Sequence, residues 1–123
     1  MKLAIAITSD PKSGDDGLGR AFQGLALAAE AQQHGDQVDI VFVGPGTRWP
    51  AEATKLGHPL RGLYEAVRGS VRGASCGCAD TFGATAGVES CSVPKLKDFA
   101  LPGTSGLASL RRYLAEGWQT LVF

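Results

Sequence analysis

Lys2-Leu-Ala-Ile-Ala-Ile-Thr8 is almost wholly apolar. Read with a period of two, Leu3, Ile5 and Ile7 point to one face of a strand, and Ala4 and Ala6 to the other. A strand apolar on both faces belongs inside a parallel sheet with helices on each side. The alanine face lets a covering helix approach closely.

The segments that follow extend that reading. Ser9 to Gly17 is a run of turn formers. Leu18 to His34 then has helical periodicity, with Leu18, Ala21, Phe22, Leu25 and Ala29 on one stripe. Asp15 and Asp16 complement the helix N-terminus, and Gly35 suits the left-handed position after its end. Val38–Val43 is a second strand of β-branched and aromatic residues. Strand, helix and strand at these lengths form a βαβ unit with a right-handed crossover and parallel pairing.

Further along, Gly44–Pro50 is a second loop, and Pro50 favours a helix start with one or two turns over Ala51–Leu56. His58-Pro59 breaks it, and Leu60–Arg68 is a further short helix. Val71–Ser75 is the third strand, followed by a helix over Ala79–Ala86. A short strand lies near Cys91–Leu96, where Pro94 interrupts the pattern. Thr104 or Ser105 caps a helix whose buried stripe is Leu107, Leu110 and Leu114. Gly117 ends that helix, and Trp118–Phe123 is a closing strand. The prediction is one domain over residues 1–123, a three-layer α/β/α sandwich with a mostly parallel sheet of about five strands.

Composition excludes several functions. Of 123 residues, 44% are hydrophobic and 20% charged, with 12 basic and 12 acidic side chains. No basic excess is present to neutralise phosphates, so nucleic acid is not an expected partner. No apolar run reaches the ~18–20 residues of a membrane span. The strand-like start carries no export signal. With an odd count of cysteines, this predicts a cytoplasmic protein with free thiols.

Ligands of parallel sheets bind beyond the carboxyl ends of the strands. That edge comprises Thr8–Gly17, Gly44–Pro50 and Cys76–Thr81, and only the last carries a nucleophile. If extended, Cys76 and Cys78 lie on one face with Cα atoms roughly 6.6 Å apart, so a bridge between them needs Gly77 to bend the chain. Cys78 falls at or near the start of the helix that begins at Ala79, where free N–H groups around Ala79–Thr81 favour a thiolate. Asp80 opposes this charge, and Arg48 or Arg72 is a candidate to offset it, although the sequence alone places neither. The same cysteines also fit plain packing beside Gly and Ala. Cys91 reads as a packing thiol. Thr8, Ser9, Arg48 and Trp49 are candidate pocket walls, although Trp49 equally fits a cap on the core.

Other chemistries fit less well. The CxC spacing with isolated His34 and His58 does not make a zinc set. No phosphate-binding glycine motif follows the first strand, where Asp10, Asp15 and Asp16 would repel phosphate. No GxSxG elbow is present.

With these motifs in view, the chain resembles the DsrE/DsrF-like family of small sulfur-relay proteins. The resemblance rests on the first strand with Thr8-Ser-Asp-Pro11, Gly35-Asp36, and the Gly-Pro-Gly-Thr-Arg-Trp49 loop. It also rests on Gly73-Ala-Ser-Cys-Gly-Cys-Ala-Asp-Thr-Phe-Gly-Ala84 and the closing Ser-Leu-Arg-Arg…Glu-Gly-Trp-Gln-Thr-Leu-Val-Phe123. It implies a mostly parallel five-stranded sheet and homo-oligomers, often trimers or hexamers. It also implies a cysteine after the third strand, here Cys78, that carries persulfide sulfur between donor and acceptor proteins. Cys76 is then an auxiliary thiol, and no cofactor is required. The rival expectation is a non-catalytic homo-oligomeric binding module with a small-ligand or partner pocket at the same edge.

Overall fold

The computed structural model describes residues 1–123. Five strands, β1 (Lys2–Ile7), β2 (Gln37–Phe42), β3 (Val71–Ser75), β4 (Lys95–Leu96) and β5 (Gln119–Val122), form a single sheet. Its order is β4-β3-β2-β1-β5, and every pairing is parallel. The helices are α1 (Gly14–Gln33), α2 (Trp49–Ala53), α3 (Arg61–Val67), α4 (Cys76–Thr81), α5 (Thr85–Ser90) and α6 (Leu110–Ala115). A 3-10 turn over Gly44–Arg48 leads into α2, and another over Arg68–Ser70 leads into β3. The α/β sandwich expected from the first strand is present.

Its two outer layers are unequal. Leu3, Ile5 and Ile7 enter a large core with the residues of α1, α2 and α3, and with Ala79, Ala84 and Val88. The opposite face holds a small cluster of Ala4, Val41, Tyr113 and Trp118. There the alanine side of β1 admits Tyr113 of α6, which packs edge-on against Trp118 with ring centroids 5.1 Å apart. The Tyr113 hydroxyl donates to Asp39 at 2.7 Å. Burial, with that bond, holds its proton more tightly than usual.

Several boundaries differ from expectation, α2 (Trp49–Ala53) and the short β4 (Lys95–Leu96) among them. α1 starts at Gly14, not Leu18, and its inward side is made mostly of small residues: Gly17, Ala21, Gly24, Leu25, Ala28 and Ala31 are buried. Phe22 is 52% exposed. A Cβ on Gly24 would strike Ile7 and Phe123, so the helix rides on its smallest residues. The segment expected as one helix over Ala79–Ala86 is two helices, beginning at Cys76 and separated at Gly83, whose φ of 67° suits glycine. The last helix starts at Leu110, capped by Ser109, whose oxygen accepts from the Arg112 amide at 3.2 Å. Leu114 faces outward, and Tyr113 is the buried residue. Thr104 and Ser105 therefore cap no helix. They sit in a strap, Lys97 to Ala108, pinned by the antiparallel bridge between Phe99 and Leu107.

Tyr64 carries the first prediction. Its ring is fully buried against Phe42, yet its hydroxyl has no hydrogen-bond partner. Burial pushes its pKa up to about 12 from 10.0. Removing an unsatisfied buried polar atom while keeping the ring is expected to stabilise, so Tyr64→Phe should raise the unfolding free energy by about 1 kcal/mol. The unfolded chain releases the phenolic proton near pH 10.0 and the folded chain only near 12, so folding stability falls across that window. In the phenylalanine variant the Tyr64 share of this alkaline loss disappears, as urea titrations above pH 9 would read out (roughly, on the reference scale).

Candidate functional site

The carboxyl ends of β1, β2 and β3 lead into Thr8–Ser13, the Gly44–Arg48 turn and α4. These are the segments that the edge rule selects. Their side chains divide into two groups.

Thr8, Ser9 and Trp49 are structural. The Thr8 hydroxyl donates to the Phe123 carbonyl at 3.0 Å and ties the end of β1 to the chain terminus. The Trp49 indole N–H donates to the Ser9 carbonyl at 2.8 Å, and its ring is 2% exposed within the main core. Of the two roles open to Trp49, capping the core is the one observed. Ser9 is buried beneath it. All three tie the edge together, and none of them lines the cleft beside Arg48.

Arg48 is the exception. Its Nε donates to the Phe82 carbonyl at 3.0 Å, its Nη1 pairs with Asp10 at 2.9 Å, and its guanidinium lies 5.7 Å from the centre of the Phe82 ring. The Lys12 backbone N–H, with Arg48 beside it, holds the Asp10 carboxyl below its usual range. Arg48 thus fastens three segments of the edge together. It also borders a cleft of about 620 Å³ between α2 and the α4–α5 turn, lined further by Lys12, Lys55, Phe82 and Gly83. Arg72 is elsewhere. The register shift between β2 and β3 leaves it unpaired and exposed at the amino end of β3.

α4 decides the fate of the two thiols. The helix begins at Cys76 rather than Ala79, so Cys78 is its third residue, and the amides of Asp80 and Thr81 belong to its internal ladder. The Gly77 N–H is taken by the Gly106 carbonyl at 2.7 Å. The Thr81 hydroxyl donates back to the Gly77 carbonyl, and Ala79 is buried in the core. The amide cradle expected around Ala79–Thr81 is consequently absent, and Cys78 Sγ has no hydrogen-bond partner.

Residues two apart on a helix point to different sides, whereas residues four apart share one. Cys76 and Asp80 accordingly face the strap together. Ser105 Oγ lies 3.3 Å from Cys76 Sγ and 2.6 Å from an Asp80 carboxylate oxygen, and Thr85 donates to the other oxygen at 2.7 Å. A hydroxyl has a single proton, and the short bond to the carboxylate takes it, leaving the Ser105 oxygen to accept from the Cys76 thiol. Cys76 is 4% exposed. Cys78 instead shares its flank with Phe82 and is partly exposed, as is Cys91. The two sulfurs point apart while α4 is intact, so a direct Cys76–Cys78 bridge is not available to this arrangement. Cys91 packs against the core with its sulfur 3.8 Å from the Thr54 hydroxyl. All three thiols are free.

The strap gives a second prediction. The Ser105 hydroxyl, then that of Thr85, holds the Asp80 carboxyl below its ordinary 3.8. The pin is therefore in place above the usual carboxylate range and is lost as pH falls through the lowered pKa. Ser105→Ala should raise the alkylation rate of Cys76 severalfold near neutral pH and leave that of Cys78 unchanged, as read after iodoacetamide by fragmentation mass spectrometry, which separates the two positions within their shared peptide.

Sequence reasoning missed Lys12, Phe82 and Ser105. Phe82 was accessible to it as the position four beyond Cys78. Ser105 was not, since only the tertiary path of the strap brings it to Cys76. No three His, Cys, Asp or Glu side chains converge as a metal set, and no helix is long and apolar enough to cross a membrane.

No protein-family model and no curated protein matches the chain. Among solved structures, a conserved protein of unknown function from Bacteroides thetaiotaomicron is similar, with a TM-score of 0.64 at 18% identity over 99% of this chain and 94% of that one. The likeness shows the fold. At that identity it carries nothing about chemistry, and the site rests on its own geometry.

Proposed function

We propose that this protein is a small cytoplasmic sulfur carrier in which Cys78 holds the transferred atom. The observation that carries the reading is the division made by α4: one thiol sits beneath Ser105, while the other is left half-exposed at the carboxyl edge of the sheet, on the flank that leads to Phe82 and Arg48. The Cys78 thiolate attacks the outer sulfur of a donor persulfide. A new S–S bond forms to Cys78, the donor's S–S bond breaks, and the donor departs as a thiolate. An acceptor thiolate then takes the outer sulfur from Cys78 and returns it to the thiolate form. No net oxidation occurs and no cofactor is needed. Donor and acceptor proteins are the expected partners. The resemblance to sulfur-relay proteins adds a homo-oligomer, a trimer or hexamer, to this reading.

The test is intact mass after incubation with a persulfide donor, followed by peptide mapping. A gain of one sulfur atom localised to Cys78 by fragmentation of that peptide supports the reading, and sulfur on Cys76, on Cys91 or on no thiol sinks it.

A second reading, a non-catalytic binding module, is favoured by one observation: the cleft beside Arg48 is lined by no cysteine. Unchanged mass together with a ligand in that cleft would select it.

A further inference from the structure

We infer that the cleft between α2 and the α4–α5 turn is a binding site for a small organic monocarboxylate, held by Arg48 and Lys12. This inference deepens the binding-module reading and does not need Cys78 to carry sulfur.

Size is the first argument. A volume of about 620 Å³ falls within the range of small-molecule sites, roughly 300–1,000 Å³. Arg48 supplies the second. Asp10 and the Phe82 carbonyl engage Nη1 and Nε, and Phe82 supports the guanidinium face. The Nη2 amino group has no protein acceptor, so a cation held in one orientation presents unused donors to the cleft. A carboxylate oxygen can accept a charge-assisted bond from that amino group.

Charge then selects the ligand class. Of the three cations on the wall, Arg48 is paired with Asp10 and Lys55 with Glu52. The Lys12 ammonium makes no ion pair, so one positive charge is left uncompensated. A monoanion balances it, whereas a doubly charged phosphate does not. Phe82, Ala51, Ala84 and Pro11 give the remaining wall an apolar part, which suits an organic body attached to the acid.

The probes are benzoate, its neutral isostere benzamide, and inorganic phosphate, each titrated into the full chain at about pH 8, where phosphate is mainly the dianion, with amide chemical shifts as the readout. Benzoate is expected to shift the amides of Lys12, Arg48, Phe82 and Gly83 saturably, and benzamide and phosphate are not. Lys12→Gln, an exposed change that leaves the fold intact, should weaken benzoate about fivefold, the upper end for a solvent-exposed charge. Arg48→Gln should weaken it at least about tenfold, with its unfolding midpoint measured alongside because Arg48 also fastens Asp10. Equal shifts from benzamide would overturn the charge assignment yet leave a ligand-binding cleft. Phosphate binding without benzoate would overturn the organic-acid class. No saturable shift at these amides with any probe would overturn the site itself and remove the support that the cleft lends to the binding-module reading. Benzoate binding insensitive to Lys12→Gln would place the acid away from the inferred pair and overturn it as well.

Discussion

Cys78→Ser is expected to abolish sulfur loading altogether, while Cys76→Ser and Cys91→Ser load as the parent does. The contrast follows from placement. Transfer requires the attacking sulfur to align with the donor's S–S bond, so access comes first. Cys76 is 4% exposed beneath Ser105 and covered by the strap that begins at Lys97. Cys91 is partly exposed, as Cys78 is, but lies against Thr54 at the other end of α5, away from the carboxyl edge of the sheet. Only Cys78 combines half-exposure with a position at the carboxyl edge of β3. Serine is close to isosteric with cysteine, and Cys78 Sγ has no hydrogen-bond partner to lose, so the variant should keep the parent's unfolding midpoint. Intact mass after donor treatment separates the outcomes. Sulfur retained by Cys78→Ser would move the carrier role elsewhere. Loading lost only in Cys76→Ser would mean that the strap opens and that the buried thiol is the working one.

The strap connects this result with the Ser105 variant. If Ser105→Ala exposes Cys76, the double variant Cys78→Ser with Ser105→Ala reports whether position or access is decisive. Loading regained by that double variant would identify access as the limiting factor. Loading still absent would mean that the Cys78 flank, beside Phe82 and Arg48, contributes more than exposure.

The alternating pattern of β1 was enough to predict a parallel sheet, because strand period and burial on both faces appear directly in Leu3, Ala4, Ile5, Ala6 and Ile7. The packing face of α1 was not legible in the same way. A stripe search weights large apolar residues, and it selects Phe22. The helix instead approaches the sheet through Gly24, against Ile7 and Phe123, and the loop after β1 through Gly17, against Asp10, where the lack of a side chain permits contact. The start of α4 was misjudged for a related reason: Cys-Gly-Cys has little intrinsic preference for helix or strand, and tertiary contacts decide it. Moving that start by three residues changed the site. It withdrew the amides of Asp80 and Thr81 from the thiol and sent the two sulfurs in different directions. Arg48 was visible from its loop position alone. Its partners were not, since Asp10 lies 38 residues away and Phe82 lies 34.

Gly46→Ala is expected to destabilise the protein by about 3 kcal/mol or more, lowering the melting temperature by on the order of 10 °C. Gly46 sits in the turn after β2, with its α-carbon directly over the end of β1. A Cβ there would overlap the Ile7 carbonyl oxygen, stand 2.7 Å from the Ile7 carbonyl carbon, and stand 3.2 Å from the Thr8 α-carbon. All three are backbone atoms, so no side-chain rotation relieves the contact. The Ile7 carbonyl is moreover fixed by the Val43 N–H at 3.0 Å. Relief requires lifting the turn from the sheet, which carries Thr47, Arg48 and Trp49 with it. Gly44→Ala makes the matched control. Gly44 has open space around its absent Cβ and a φ of 56°, so the change adds only left-handed strain, about 1–2 kcal/mol. Thermal melts of the two variants should therefore differ although the substitutions are identical and two residues apart. Equal losses would mean that conformational strain, not the approach of β1, makes glycine necessary here. Displacement of Arg48 adds a functional signature, because the same shift that relieves the clash draws the guanidinium away from Asp10 and Phe82. In Gly46→Ala, benzoate shifts at the cleft should weaken even below the melting transition, while Gly44→Ala leaves them in place.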